Sequence, residues 1–98
     1  MELLRISSLA KRQYREDFND NLNEDYMVIR KKLTRNYLLG EVYNETEDRI
    51  WIRYGSMYIT VDKKDNRVIN LLNDRIHRNE FNISLLYKHY LNLKLGLV

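Results

Sequence analysis

Arg49-Ile50-Trp51-Ile52-Arg53-Tyr54-Gly55-Ser56-Met57-Tyr58-Ile59-Thr60-Val61-Asp62 decides how this chain is read. Two runs of β-branched and aromatic residues flank Gly55-Ser56. A two-residue loop of this kind suits a type I′ or II′ turn, where glycine takes φ > 0 without steric cost. Closing the loop there sets the pairing. Tyr54 faces Met57, Ile52 faces Ile59 and Ile50 faces Val61. Side chains alternate along a strand, so these six share one face. The other face pairs Arg53 with Tyr58, Trp51 with Thr60 and Arg49 with Asp62. Each cross-strand pair contributes roughly 0.2–1 kcal/mol. A slip of one residue would mix the apolar and polar sets, so the register checks itself.

Downstream, Asp62-Lys63-Lys64-Asp65-Asn66-Arg67 is turn chemistry, because Asp and Asn accept local backbone bonds and tolerate left-handed backbone. A third antiparallel strand is expected over 67–72. With residues 63–66 as the loop, Asn70 shares the core face while Ile69 and Leu71 join Trp51 and Tyr58. A one-residue bulge reverses that assignment. Either way both faces of this strand carry apolar residues, which calls for helices over part of the second face. Residues 73–81 read as a polar connection. Asn82 is then the expected cap of a last helix over 83–95, with Lys94 in its final turn and Gly96 after it. Ile83, Leu85, Leu86, Tyr87, Tyr90, Leu91, Leu93 and Leu95 make that helix apolar nearly all round. Such a helix is usually buried. A chain this small has little to bury it with, so a partner, often a second copy, is the expected cover.

Upstream, Leu3, Ile6, Ala10, Tyr14, Phe18 and Leu22 recur at steps of three or four, one helical stripe over 3–22. The alternative is a shorter helix from near Leu9, capped by Ser7 or Ser8. Asn23 is the expected cap of a second helix, with Glu24 and Asp25 in its first turn and Tyr26, Ile29, Leu33 and Tyr37 along its apolar side. Gly40 sits where a left-handed glycine would end it. The rival reading makes strands of 26–30 and 37–43, given their β-branched and aromatic content. Residues 44–48 read as an acidic loop. The fold class expected is therefore α+β in one domain over 1–98. A three-stranded antiparallel meander, four-stranded if 37–43 joins it, packs with two N-terminal helices and one C-terminal helix.

Composition bounds the function. There is no cysteine, hence no thiolate nucleophile and no disulfide or Cys-ligated metal. His77 and His89, the two histidines, lie in no metal-ligand spacing, and the three glycines are too scattered for a phosphate loop. No Gly-x-Ser-x-Gly elbow exists, and the carboxylates cluster in loops. The expectation is a non-enzyme without cofactor or metal. No apolar run approaches the roughly 18–20 residues of a membrane span. The opening Met1-Glu2-Leu3-Leu4-Arg5 lacks the pattern of a signal peptide, so a cytoplasmic protein is expected, host-cytoplasmic if viral. Abundant Asn, Ile, Lys and Tyr without proline is the composition of AT-rich genomes, including small proteins of phages and mobile elements.

The formal charge is +3, but it is unevenly spread. Residues 1–48 hold 8 Lys/Arg against 10 Asp/Glu, and residues 49–98 hold 9 against 4. The second half is thus the one suited to an anionic partner. Two sets of candidate binding residues follow. Trp51, Arg53 and Tyr58, with Tyr90, Leu91 and Leu93 of the last helix, are of the types enriched at protein-interface hot spots. The plainer reading of the first three is a second small core beneath a helix. Arg30, Lys31, Lys32 and Arg35, with Arg75 and Arg78, are the nucleic-acid candidates. Lys31 and Arg35 are expected four apart on a solvent-facing side, a phosphate track, or simply a solvated helix face.

The leading expectation is a protein-binding regulator or inhibitor of a host protein or nucleoprotein complex, an anti-CRISPR protein being one example. Homodimerisation is expected with it. A nucleic-acid-binding regulator, weak and salt-sensitive, and a small structural component are the alternatives. A pI near 9.2 leaves the nucleic-acid reading on the borderline.

Overall fold

The computed structural model describes residues 1–18, 24–74 and 83–98. Its organising element is the hairpin of β3 (Arg49–Tyr54) and β4 (Met57–Asp62). All six pairs of the expected register occur, from Arg49↔Asp62 to Tyr54↔Met57. Gly55 has φ +59° and Ser56 is not left-handed, the pattern of a type II′ turn. To these are added β1 (Arg5–Ile6), β2 (Glu41–Glu45) and β5 (Arg67–Asn73), giving a five-stranded sheet in the order β1-β5-β4-β3-β2. The pairing is antiparallel except between β1 and β5, so the sheet is mixed and wider than a three- or four-stranded meander.

The bulge decides β5. Val61 pairs with Val68, but Thr60 pairs with Asn70, and Ile69 is the extra residue. Leu71 consequently enters the core at 2% exposure while Asn70 and Leu72 turn outward. Without the bulge Asn70 would have faced apolar neighbours, at the cost of burying an amide without partners. Asn66, with φ 52°, supplies the left-handed residue of the 63–66 turn.

The first helix is the shorter of the two expected. Ser7 caps α1 (Ser8–Asp17), its hydroxyl accepting from the Ala10 N–H at 3.1 Å. Residues 5–6 are strand, so the helical stripe from Leu3 was a coincidence of spacing. Leu22 and the proposed cap Asn23 lie outside the described residues. Asp25 caps α2 (Tyr26–Leu39), its carboxylate accepting from the Met27 N–H at 3.1 Å. The rival strand over 26–30 is therefore wrong. The expected loop at 44–48 is also partly wrong, because β2 runs to Glu45. Asn82, the expected cap of α3 (Leu85–Leu95), is outside the described residues. Ser84 caps α3, accepting from the Tyr87 N–H, and the αL residue Gly96 ends it.

α1 and α2 lie on one face of the sheet. Ala10, Tyr14, Ile29 and Leu33 meet Ile50, Ile52, Met57, Ile59, Val61, Val68 and Leu71, joined by Leu4 and Ile6. Thr34, buried in α2, is satisfied twice: it accepts from the Leu4 N–H at 3.0 Å and donates to the Arg30 carbonyl at 2.7 Å. α3 packs on α2 through Leu91 and Leu95. Arg35 and Lys31, which meet α3, lie on the flank of α2 away from Ile29 and Leu33. The layers thus run sheet, α1 with α2, then α3. No described helix is long and apolar enough to cross a membrane.

Candidate functional site

No described helix covers the second face of the sheet, contrary to the expectation that apolar residues there required one. Strand pairing arranges this face as three rungs, since paired residues project to the same side. Glu41, Arg53, Tyr58 and Leu72 form the first rung. Asn44, Trp51, Thr60 and Asn70 form the second. Arg49, Asp62, Arg67 and, through the parallel β1 pairing, Arg5 form the third.

The first rung is held by local chemistry. Arg53 Nη2 donates to Glu41 Oε2 at 2.8 Å, and this bond pushes the guanidinium further above its ordinary value. A bulge between Val42 and Asn44 re-aims Tyr43, whose ring meets Tyr58 edge-on at 5.3 Å and 82°. Leu72 is 58% exposed at the other end. Trp51 stands half-buried in the middle of the second rung, next to the buried Thr60. The third rung brings three arginines to one aspartate. Trp51, Arg53 and Tyr58 therefore come together on one face, as the pairing read from the sequence requires, and no described helix lies over them.

Tyr43, Leu72 and Arg5 belong to the same face and were missed. The reading of 37–43 as a strand held the signal for Tyr43. Leu72 depends on the β5 bulge and Arg5 on a two-residue strand, neither of which has a local signature.

The other candidates are placed differently. On α3, Tyr90 and Leu93 face outward, but Leu91 is 1% exposed and seated against α2, so it is core and no contact residue. The basic run of α2 is spent internally, which corrects the solvent-facing phosphate track. Arg30 donates to the Leu4 carbonyl at 2.9 Å. Lys32 pairs with Glu24. Arg35 donates to Asn36 Oδ1 at 3.1 Å and Asn92 Oδ1 at 3.0 Å, and Lys31 lies beneath the end of α3 at Gly96. Arg75 and Arg78 lie outside the described residues.

A cavity of about 400 Å³ opens between α1, α2 and the β3–β4 turn, lined by Tyr14, Lys32, Arg35 and Asn36 among others. Its polar groups serve the fold. The Tyr14 hydroxyl donates to Glu24 Oε2 at 3.3 Å, and burial first, then the Glu24 charge, raises its pKa to about 12. A neutral phenol tied to a carboxylate that also pairs with Lys32 is a packing device.

No curated protein and no solved structure matches this chain. One family model does, that of YorE, over residues 4–95. A match across nearly the whole chain covers the sheet and the three described helices, and it makes the protein a member of the YorE family.

Proposed function

We propose that this is a non-enzymatic docking protein that binds another protein through the open face of its sheet. In its sharpest form it inhibits or regulates a complex of the bacterial host, consistent with membership of a phage-type family. The observation that supports the reading is the make-up of the first two rungs. Trp51, Tyr58, Tyr43 and Arg53 are hot-spot residue types, and the exposed Leu72 extends them with apolar surface. Glu41 and Asp62 stand among the arginines, which suits a partner surface of mixed charge better than a polyanion.

The test is capture from nuclease-treated host lysate by the immobilised chain, beside a Trp51→Ala/Tyr58→Ala/Leu72→Ala variant shown to be folded by circular dichroism. One defined protein retained by the first and lost by the second is the expected result. Equal capture by both would remove the sheet face as the docking site. The third rung favours a second reading, single-stranded nucleic acid laid over Trp51 and held by Arg5, Arg49 and Arg67. Under that reading nuclease treatment abolishes the capture.

A further inference from the structure

We propose that the outward face of α3 is the seat of a second copy of this chain, the two helices packing antiparallel about a two-fold axis near Tyr90. Leu91 and Leu95 bind α3 to α2, and at 100° per residue the opposite side carries the exposed His89 and, around it, the apolar Leu86, Tyr90, Leu93 and Leu85. These four are exposed by 82%, 51%, 59% and 77%, and Val98 just beyond the helix by 75%. Together they present on the order of 600 Å² of apolar side chain, at the upper end of what a monomer leaves uncovered and close to the roughly 800 Å² per partner of a standard interface.

The spacing points to a copy of the same helix. Leu86, Tyr90 and Leu93 follow the four-then-three step of a coiled-coil seam. Leu86 and Leu93 lie four and three residues to either side of Tyr90, the central residue of the helix. Antiparallel pairing therefore sets Leu86 of one copy on Leu93 of the other, closing both ends at once with one self-complementary patch. It also opposes the helix dipoles. The two charged residues of α3 are Lys88 and Lys94, both cations. Lys88 is turned inward over the Tyr54 ring. Lys94 folds back over the Tyr90 ring, its Nζ 5.8 Å from the ring centroid and 3.4 Å from the hydroxyl. Because α3 lies on the far side of the helix layer from the rungs, dimerisation leaves the rung-bearing sheet face of each copy free. The assembly is then bivalent, which raises avidity for a repeated or symmetric partner.

Sedimentation equilibrium at micromolar concentration is expected to give twice the 12.0 kDa chain mass. A Leu86→Glu/Leu93→Glu variant, altered only at exposed positions, is expected to show a twofold lower mass with unchanged circular dichroism. A monomeric parent chain would overturn the proposal and reserve α3 for a different protein. A dimer that persists in the variant would overturn the assignment to this face. The cysteine-free chain allows a check of direction. Leu86→Cys and Leu93→Cys chains, mixed and oxidised, are expected to cross-link to each other and not to themselves. Self-linking of the Leu86→Cys chain would overturn the antiparallel arrangement.

Discussion

Gly40 and Gly55 are glycines for opposite reasons. Gly55 has φ +59° with open space around it, so only its backbone demands glycine. Gly55→Ala is expected to cost about 1–2 kcal/mol, the usual penalty of a left-handed residue with a Cβ. Gly40 has φ −75° and ψ 173°, which any residue adopts. It does not end α2 by a left-handed cap, as its position after the helix suggests. A Cβ there would collide with Ile52 Cγ2 and come within 2.7 Å of the Arg53 carbonyl oxygen. Gly40→Ala is therefore an overpacking change, expected to cost about 1–3 kcal/mol in urea unfolding and to disturb the β2–β3 pairing. Tyr14 sets a pH dependence. Its hydroxyl has a pKa of about 12 in the fold against 10.0 ordinarily. The unfolded chain thus loses this proton first, and stability present below pH 10 is lost as pH rises toward 12. Tyr14→Phe is expected to flatten that alkaline decline in denaturation measured across the window.

At the scale of elements, the edge of β5 is closed by a side chain. β1 pairs with only Arg67 and Val68, and beyond it the strand would expose unpaired backbone. α1 runs along that edge instead. Gln13 Oε1 accepts from the Leu71 N–H at 2.7 Å while its Nε2 donates to Asn70 Oδ1 at 2.9 Å. Ser7 adds its N–H to the Val68 carbonyl, and Asn73 donates to the Asp17 carbonyl. Gln13→Ala is expected to cost about 1–3 kcal/mol, the penalty for an orphaned buried N–H. Hydrogen exchange at Leu71 is expected to speed up with it. Gln13→Glu keeps the acceptor and is expected to retain most of the Leu71 protection. Equal exchange in all three chains would show that the edge closes without Gln13.

At the scale of the molecule, cations divide between two places with different duties. Those of α2 tie that helix to its neighbours, Arg30 to the Leu4 carbonyl, Lys32 to Glu24 and Arg35 to Asn92 of α3, while Arg5, Arg49 and Arg67 gather on the open sheet face. Nucleic-acid binding at ~0.15 M salt is expected to be no tighter than about 10⁻⁶ M and to weaken steeply with salt. Replacing Arg5, Arg49 and Arg67 by Gln is expected to abolish it without unfolding the chain. Replacing Lys31, Lys32 and Arg35 is expected to lower the melting temperature first. Nanomolar, sequence-dependent binding in a fluorescence titration would promote the nucleic-acid reading over protein docking.

The hairpin register was legible in the chain because Gly55-Ser56 and the alternation of Ile50, Ile52, Ile59 and Val61 are local and mutually consistent. The same holds for the periodicity of α2 and for the left-handed stop of α3 at Gly96. What only the tertiary structure decided was non-local. A two-residue strand at Arg5–Ile6 has no periodicity to detect, and its partner β5 lies more than sixty residues away. The β5 bulge is chosen by whether Asn70 or Leu71 meets the core, which depends on helices elsewhere in the chain. The duty of a cation is set by its neighbours: Arg35 and Arg67 are alike in sequence, and only packing makes one a strut and the other part of a surface. Local hydrogen bonding and side-chain alternation specify the elements. Burial, which sums over the whole chain, specifies which of their faces are left for a partner.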